Sequence, residues 1–163
     1  MKHLLIIRHA KSDWGERGLE DFDRPLNERG QRNAPEMAKR LIQRNIIPEL
    51  VVSSPALRAK STAAYFAEIF GYGQDDIVEE PRIYEASAST LLQLINNWDN
   101  RYNSIALVGH NPGLTELAIK LSDFDDPNIP TCGVALLEFP FDDWRMISAG
   151  TGEVKMYDYP KNL

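Results

Sequence analysis

The chain has 163 residues, 43% hydrophobic and 26% charged, a balance that suits one soluble domain with a sizeable core. Its formal net charge of −6, with no block of Lys or Arg, argues against nucleic-acid binding, so an anionic ligand must meet a local cluster of cations. The lone cysteine, Cys132, excludes an internal disulfide and fits a reducing, cytoplasmic setting, while no apolar run approaches the ~20 residues of a membrane span.

The aliphatic run Leu4-Leu5-Ile6-Ile7 predicts a strand over about 3–8, buried on both faces. Arg8 and His9 stand at its C-terminal end, the edge of an open α/β sheet where ligands bind. A polar, Asp-rich stretch from Ser12 to Arg24 follows. A helix then opens at Asn27, with Ala34, Met37, Ala38 and Leu41 on one face. Leu50-Val51-Val52 predicts a second buried strand. Ser54-Pro55 after it reads as an N-cap and a proline at the first helical position. That helix carries Ala63, Phe66, Ala67 and Phe70 inward and stops at Gly71. A short strand near Ile77-Val78 precedes Pro81–Glu85, and a helix from about Ser89 turns Leu91, Leu94, Ile95 and Trp98 inward.

Ser104–Gly109 is a further buried strand, ending in His110-Asn111-Pro112, again an N-cap and proline pair. Leu114, Leu117, Ala118 and Leu121 line the inner face of the helix it opens. The loop Ser122–Pro130 is acidic but has Asn128 and Val134 where a calcium loop needs Gly and Glu, so it reads as a solvated loop or partial lid. Cys132 reads as a small buried or half-buried side chain. Val134–Phe139, Arg145–Ser148 and Val154–Tyr159 predict three antiparallel strands at one edge. The whole pattern predicts a three-layer α/β/α sandwich in one domain, residues 1–163. Its central sheet is mainly parallel, with an antiparallel C-terminal edge.

Three strand ends thus present comparable groups: Arg8-His9, then Ser53-Ser54-Pro55 with Arg58 in the next turn, then Gly109-His110-Asn111-Pro112. Helix N-termini offer free N–H donors, and two guanidinium groups and a second imidazole add charge-assisted ones. On physical grounds this is a phosphate site. On residue type alone, His9 suits a nucleophile, a proton carrier or a metal ligand.

These segments, Leu5-Ile6-Ile7-Arg8-His9-Ala10, the run Ser53 to Ala63, and Val108-Gly109-His110-Asn111-Pro112-Gly113, resemble the histidine phosphatase (phosphoglycerate-mutase-like) superfamily. The stretch Asp21 to Gly30 and the short length look like its SixA-type phosphohistidine phosphatase branch. Ala10 departs from the Gly usual after Arg-His in the superfamily. The resemblance implies that His9 is the nucleophile and that Arg8, Arg58 and His110 grip the phosphoryl oxygens. Nearby guanidinium charges should keep His9 unprotonated, whereas His110 is better employed protonated.

The resemblance also implies no metal and no other cofactor, since the pocket's cations supply the charge. Glu85 is placed either as the acid that protonates a leaving oxygen or as an exposed loop residue. Arg24 and Ser12 would flank the pocket, with Arg24 reaching substrate or pairing with Asp21 or Asp23. The implied substrate is a phosphohistidine on a protein such as a phosphotransfer domain. The alternatives are a small phosphomonoester, a silent phospho-ligand binding module and a metal-dependent hydrolase; neither nucleic acid nor membrane is expected as a partner.

Overall fold

Leu4, Leu5, Ile6 and Ile7 are all buried because β1 (Lys2–Arg8) runs through the middle of a sheet covered on both sides. A computed structural model describes residues 1–15 and 17–163. Along the chain follow α1 (Glu28–Gln43), β2 (Leu50–Ser53), α2 (Leu57–Phe70), β3 (Ile77–Glu79) and α3 (Ala88–Asn96). Then come β4 (Ser104–Gly109), α4 (Gly113–Leu121), β5 (Val134–Phe139) and β6 (Glu153–Asp158). Among the described residues the strands form one six-stranded sheet in the order β3-β2-β4-β1-β5-β6. The first four in that order are mutually parallel, and β5 runs antiparallel to both its neighbours. The sandwich and its antiparallel C-terminal edge are as expected.

Alternation along each strand sorts the core into two layers. Leu4 and Ile6 point to the face covered by α3 and α4, with Leu91, Leu94, Leu114 and Leu117. Leu5 and Ile7 point to the face covered by α1 and α2, with Ala34, Met37, Ala63 and Phe66. The inward positions expected from helical spacing are the ones buried; Trp98 lies just beyond α3 and packs edge-on against Trp144 at 5.2 Å. No helix among the described residues is long and apolar enough to cross a membrane.

Three local expectations are corrected. Arg145–Ser148 is not a strand: Trp144–Met146 forms a 3-10 turn. Burial of Trp144 decides this, because its indole N–H donates to the Tyr102 carbonyl at 2.9 Å. The Asn96 side-chain amide caps the Trp144 and Ile147 carbonyls at 2.8 and 3.0 Å, so those groups need no ladder partner.

The helix after β2 begins at Leu57 with Ala56 as its N-cap, two residues later than the Ser54-Pro55 signal placed it. Ser54 Oγ still accepts an entrance N–H, that of Ala56, at 3.2 Å. Likewise α4 begins at Gly113, after a cis Asn111–Pro112 bond, and Asn111 Oδ1 accepts from the Thr115 N–H at 3.2 Å. In contrast, Asn27 does cap α1, accepting from Gly30 N at 2.9 Å.

The acidic loop after α4 is anchored. Asp123 Oδ1 accepts from Val154 N at 2.8 Å, Asp126 accepts from the Tyr157 hydroxyl at 2.5 Å, and Thr115 Oγ1 accepts from Ile129 N at 3.0 Å. Phe124 and Ile129 are buried. The loop is a wall of the molecule.

Candidate active site

Register brings the three strand ends to one level. Arg8 lies opposite Gly109, and Ser53 opposite Val108. The ladder continues one step past each strand, with His9 N donating to Gly109 O and Ser54 N to Val108 O, both at 3.0 Å. The chain after His9 is tied down as well. Ala10 N donates to Thr62 Oγ1 at 2.9 Å, and the Cys132 N–H donates to His9 O at 3.0 Å. Cys132 is fully buried, as expected, and burial pushes its thiol far above the ordinary range.

His9 and His110 face each other with ring centroids 5.2 Å apart. His9 Nδ1 lies 2.8 Å from Ala10 O, a carbonyl that can only accept, so Nδ1 carries the proton and Nε2 keeps its lone pair. His110 Nε2 lies 2.8 Å from Ser54 Oγ. Arg8 Nη1 donates to Ile129 O at 2.8 Å, so the anchored loop orients the first guanidinium. Arg58 Nη1 donates to Asp21 O at 2.7 Å and its Nη2 to Asp21 Oδ2 at 3.0 Å. Two buried polar atoms here have no hydrogen-bond partner among the described residues: Arg8 Nε and His110 Nδ1. Leaving such a group unpaired costs about 1–3 kcal/mol, which a hydrogen bond to a bound oxyanion would offset.

Burial, more than the guanidinium charges, depresses His9, with His110, Arg58 and Arg8 adding to the effect against the raising bond to Ala10 O; its pKa falls to about 3. The expectation that His9 is unprotonated stands, with a different leading cause. In the unliganded protein burial and the Arg58 charge pull His110 down to about 4, so it is neutral at pH 7 while the pocket holds no anion.

Both shifts are downward, so the unfolded chain binds protons that the folded one refuses. Their stabilising effect is complete above the unfolded value near 6.5 and is lost as pH falls toward 4. From pH 7 to pH 5 each imidazole should cost about 2 kcal/mol. Urea midpoints of the wild type and His9→Gln at the two pH values check this: the variant should lose distinctly less stability on acidification.

Asp21 is the hub that sequence reasoning missed. Besides Arg58 it accepts from the Tyr84 hydroxyl at 2.5 Å and from Arg24 Nη1 at 3.1 Å. Those bonds, Tyr84 first, hold its carboxyl at about 2, and the same bond raises the Tyr84 hydroxyl to about 12. Arg24 also donates to Ser12 Oγ at 2.8 Å and lies 4.8 Å over the Trp14 ring. Arg24 therefore takes the Asp21 pairing anticipated for it, and Ser12 supports Arg24. Glu85 is exposed, at a left-handed φ of 58°, and forms no ion pair among the described residues. Its neighbour Tyr84 packs edge-on against His110, with centroids 5.5 Å apart. Gly113 lets the chain at Ala86 approach the start of α4, since a Cβ there would lie 2.2 Å from Ala86 O.

Two imidazoles and two guanidinium groups thus meet at one edge of a mainly parallel sheet, Arg58 reaching it from the first turn of α2. Residues 4–105 match the family model "Histidine phosphatase superfamily (branch 1)", and the chain belongs to that superfamily. An uncharacterized chloroplastic protein of Arabidopsis thaliana is 30% identical over 159 residues, covering 93% of this chain and 72% of the relative. A crystal structure of SixA from Agrobacterium tumefaciens, provisionally named a phosphohistidine phosphatase, superimposes with a TM-score of 0.80 at 29% identity, covering 98% and 99% of the two chains. The protein histidine phosphatase SixA complexed with tungstate shares the fold, with a TM-score of 0.78 at 22% identity over 98% of each chain.

Proposed function

We propose that this protein is a phosphohistidine phosphatase that works through a covalent phosphohistidine on His9. The observation that carries the reading is the free Nε2 lone pair of a buried, neutral His9 among Arg8, Arg58 and His110. In the first step His9 Nε2 attacks phosphorus, and the bond from phosphorus to the substrate imidazole nitrogen breaks. The leaving nitrogen keeps the electron pair and takes a proton from water. In the second step water attacks the phosphoryl group on His9. The P–Nε2 bond breaks, inorganic phosphate departs, and the water proton passes to solvent.

Arg8, Arg58 and His110 donating one N–H hold the non-bridging oxygens through both steps. Their charge does the work a divalent ion would otherwise do, so the reaction as drawn needs no metal. An imidazole leaves more readily than an alkoxide, so the exposed Glu85 is dispensable for this substrate and useful only for an ester. Access supports a protein-borne substrate: the mouth is framed by the short segments Asp21–Asp23 and Pro81–Ser87, where Phe22 and Glu85 are exposed. The lone, buried cysteine suits work in a reducing compartment such as the cytoplasm. The likeness to SixA of Agrobacterium tumefaciens supports the same substrate class.

The test is phosphate release, in chelator, from a phosphorylated histidine-phosphotransfer domain and from a panel of small phosphomonoesters. The protein substrate should turn over faster by at least about tenfold in kcat/KM, a ~1.4 kcal/mol preference. Turnover confined to one small ester would replace the reading with a metabolite phosphatase. Abolition by chelator would replace the mechanism.

A further inference from the structure

Four rings form a ladder from the nucleophile to the surface: His9 to His110 at 5.2 Å, His110 to Tyr84 at 5.5 Å, and Tyr84 to Phe22 at 5.2 Å. The last two contacts are edge-to-face, with interplanar angles of 79° and 89°. Tyr84 is fixed by its hydroxyl bond to Asp21, so it sets the orientation of Phe22. Phe22 itself remains 38% exposed, and Leu57, the residue before Arg58, is 39% exposed. These two apolar side chains adjoin the two members of the Asp21–Arg58 pair.

Asp21 and Arg24, charged residues beside Phe22, are already engaged within the protein. Asp21 accepts from Tyr84, Arg24 and Arg58, and Arg24 is further engaged with Ser12 and Trp14. A leaving group rich in hydroxyls would find neither of them free. A flat ring would find an aromatic surface held at a fixed angle.

Building on the phosphohistidine reading, we infer that Phe22 is a specificity residue, giving the site a preference for phosphoryl groups carried on a planar aromatic or heteroaromatic ring. The ring stacks or packs edge-on against Phe22 while its phosphoryl group sits beside His9. An aromatic pair contributes roughly 0.5–1.5 kcal/mol, which corresponds to about a two- to twelvefold preference.

Four small probes separate ring from bond type: N-phosphoimidazole and phosphoramidate share a P–N bond, and phenyl phosphate and ethyl phosphate share a P–O bond. In Phe22→Ala the kcat/KM ratio of N-phosphoimidazole to phosphoramidate should fall about three- to tenfold. Phe22→Leu should fall nearly as far, and Phe22→Tyr should keep the wild-type ratio. A parallel fall in the phenyl-to-ethyl ratio extends the preference to phenolic phosphates; a fall confined to the imidazole pair assigns it to phosphohistidine. Equal loss on ringed and ringless probes, or a wild-type ratio retained by Phe22→Leu, overturns the role of the ring. Should the wild type release phosphate neither from the four nor from a phosphorylated histidine-phosphotransfer domain, the phosphatase reading itself fails; turnover of the domain alone overturns the ring preference. A His9-dependent activity with unchanged ratios sinks only the inference about Phe22.

Discussion

Replacing His9 with alanine lowers kcat/KM by at least about a thousandfold, roughly 4 kcal/mol of lost transition-state stabilisation, and removes the phosphoenzyme. The size follows from the loss of the covalent route, which no neighbour can replace. The other imidazole, His110, is 5.2 Å away by ring centroid, with its Nε2 engaged by Ser54. Substrate labelled in its phosphoryl group and quenched in base should leave an acid-labile label on the wild type and none on the variant. Arg8, Arg58 and His110 remain in the variant, so it should still bind inorganic phosphate within about tenfold of the wild type, a change of no more than ~1.4 kcal/mol. A phosphate affinity that collapses along with turnover would show a disrupted pocket, and full retained activity would show that His9 is not the nucleophile.

Arg58→Ala should cost about a hundred- to a thousandfold in kcat/KM, the usual penalty for losing one preorganised donor to a developing oxyanion. Here a second effect adds to it. Arg58 compensates the Asp21 carboxylate, whose side chain is 42% exposed, so removing the guanidinium leaves that negative charge facing an anionic substrate. Solvent screens part of this repulsion but not all of it. The double variant Arg58→Ala with Asp21→Asn should therefore recover about three- to tenfold over Arg58→Ala alone. Steady-state kinetics on the two single variants and the double closes the cycle. A double variant no better than Arg58→Ala would mean that Asp21 acts only by positioning Arg58.

Strand and helix identities were legible because aliphatic runs and three-to-four spacing report burial directly, as at Leu4–Ile7 and along α1. Helix starts were less legible. Ser54 and Asn111 have capping side chains, but each serves the entrance by a longer reach, Ser54 also contacting His110 and Asn111 also donating to Ile129 O at 2.9 Å. The segment after Pro140 was misread because one buried tryptophan outweighs strand propensity there. Arg8, His9 and His110 at the strand ends, with Arg58 one helical turn beyond, could be assembled from topology, since a parallel sheet carries all such ends to one edge. Asp21 could not. It lies among Glu20 and Asp23 in one polar stretch, and only tertiary contacts from Arg58 and Tyr84 decide which acid turns inward. The burial that pulls His110 down in the empty pocket is likewise not written in local sequence.

The hydrogen bonds that extend the sheet ladder past its strands, from His9 N to Gly109 O and from Ser54 N to Val108 O, tie His9 to the innermost part of the structure. Many catalytic loops open and close on their own, exchanging amide protons quickly while the scaffold stays protected. The amides of His9 and Ser54 belong to the scaffold instead, and their exchange with solvent deuterium should track the unfolding of the central strands. Site and fold then share one cooperative unit: damage to the sheet displaces His9, and an oxyanion held by the neighbours of His9 should slow exchange across the sheet.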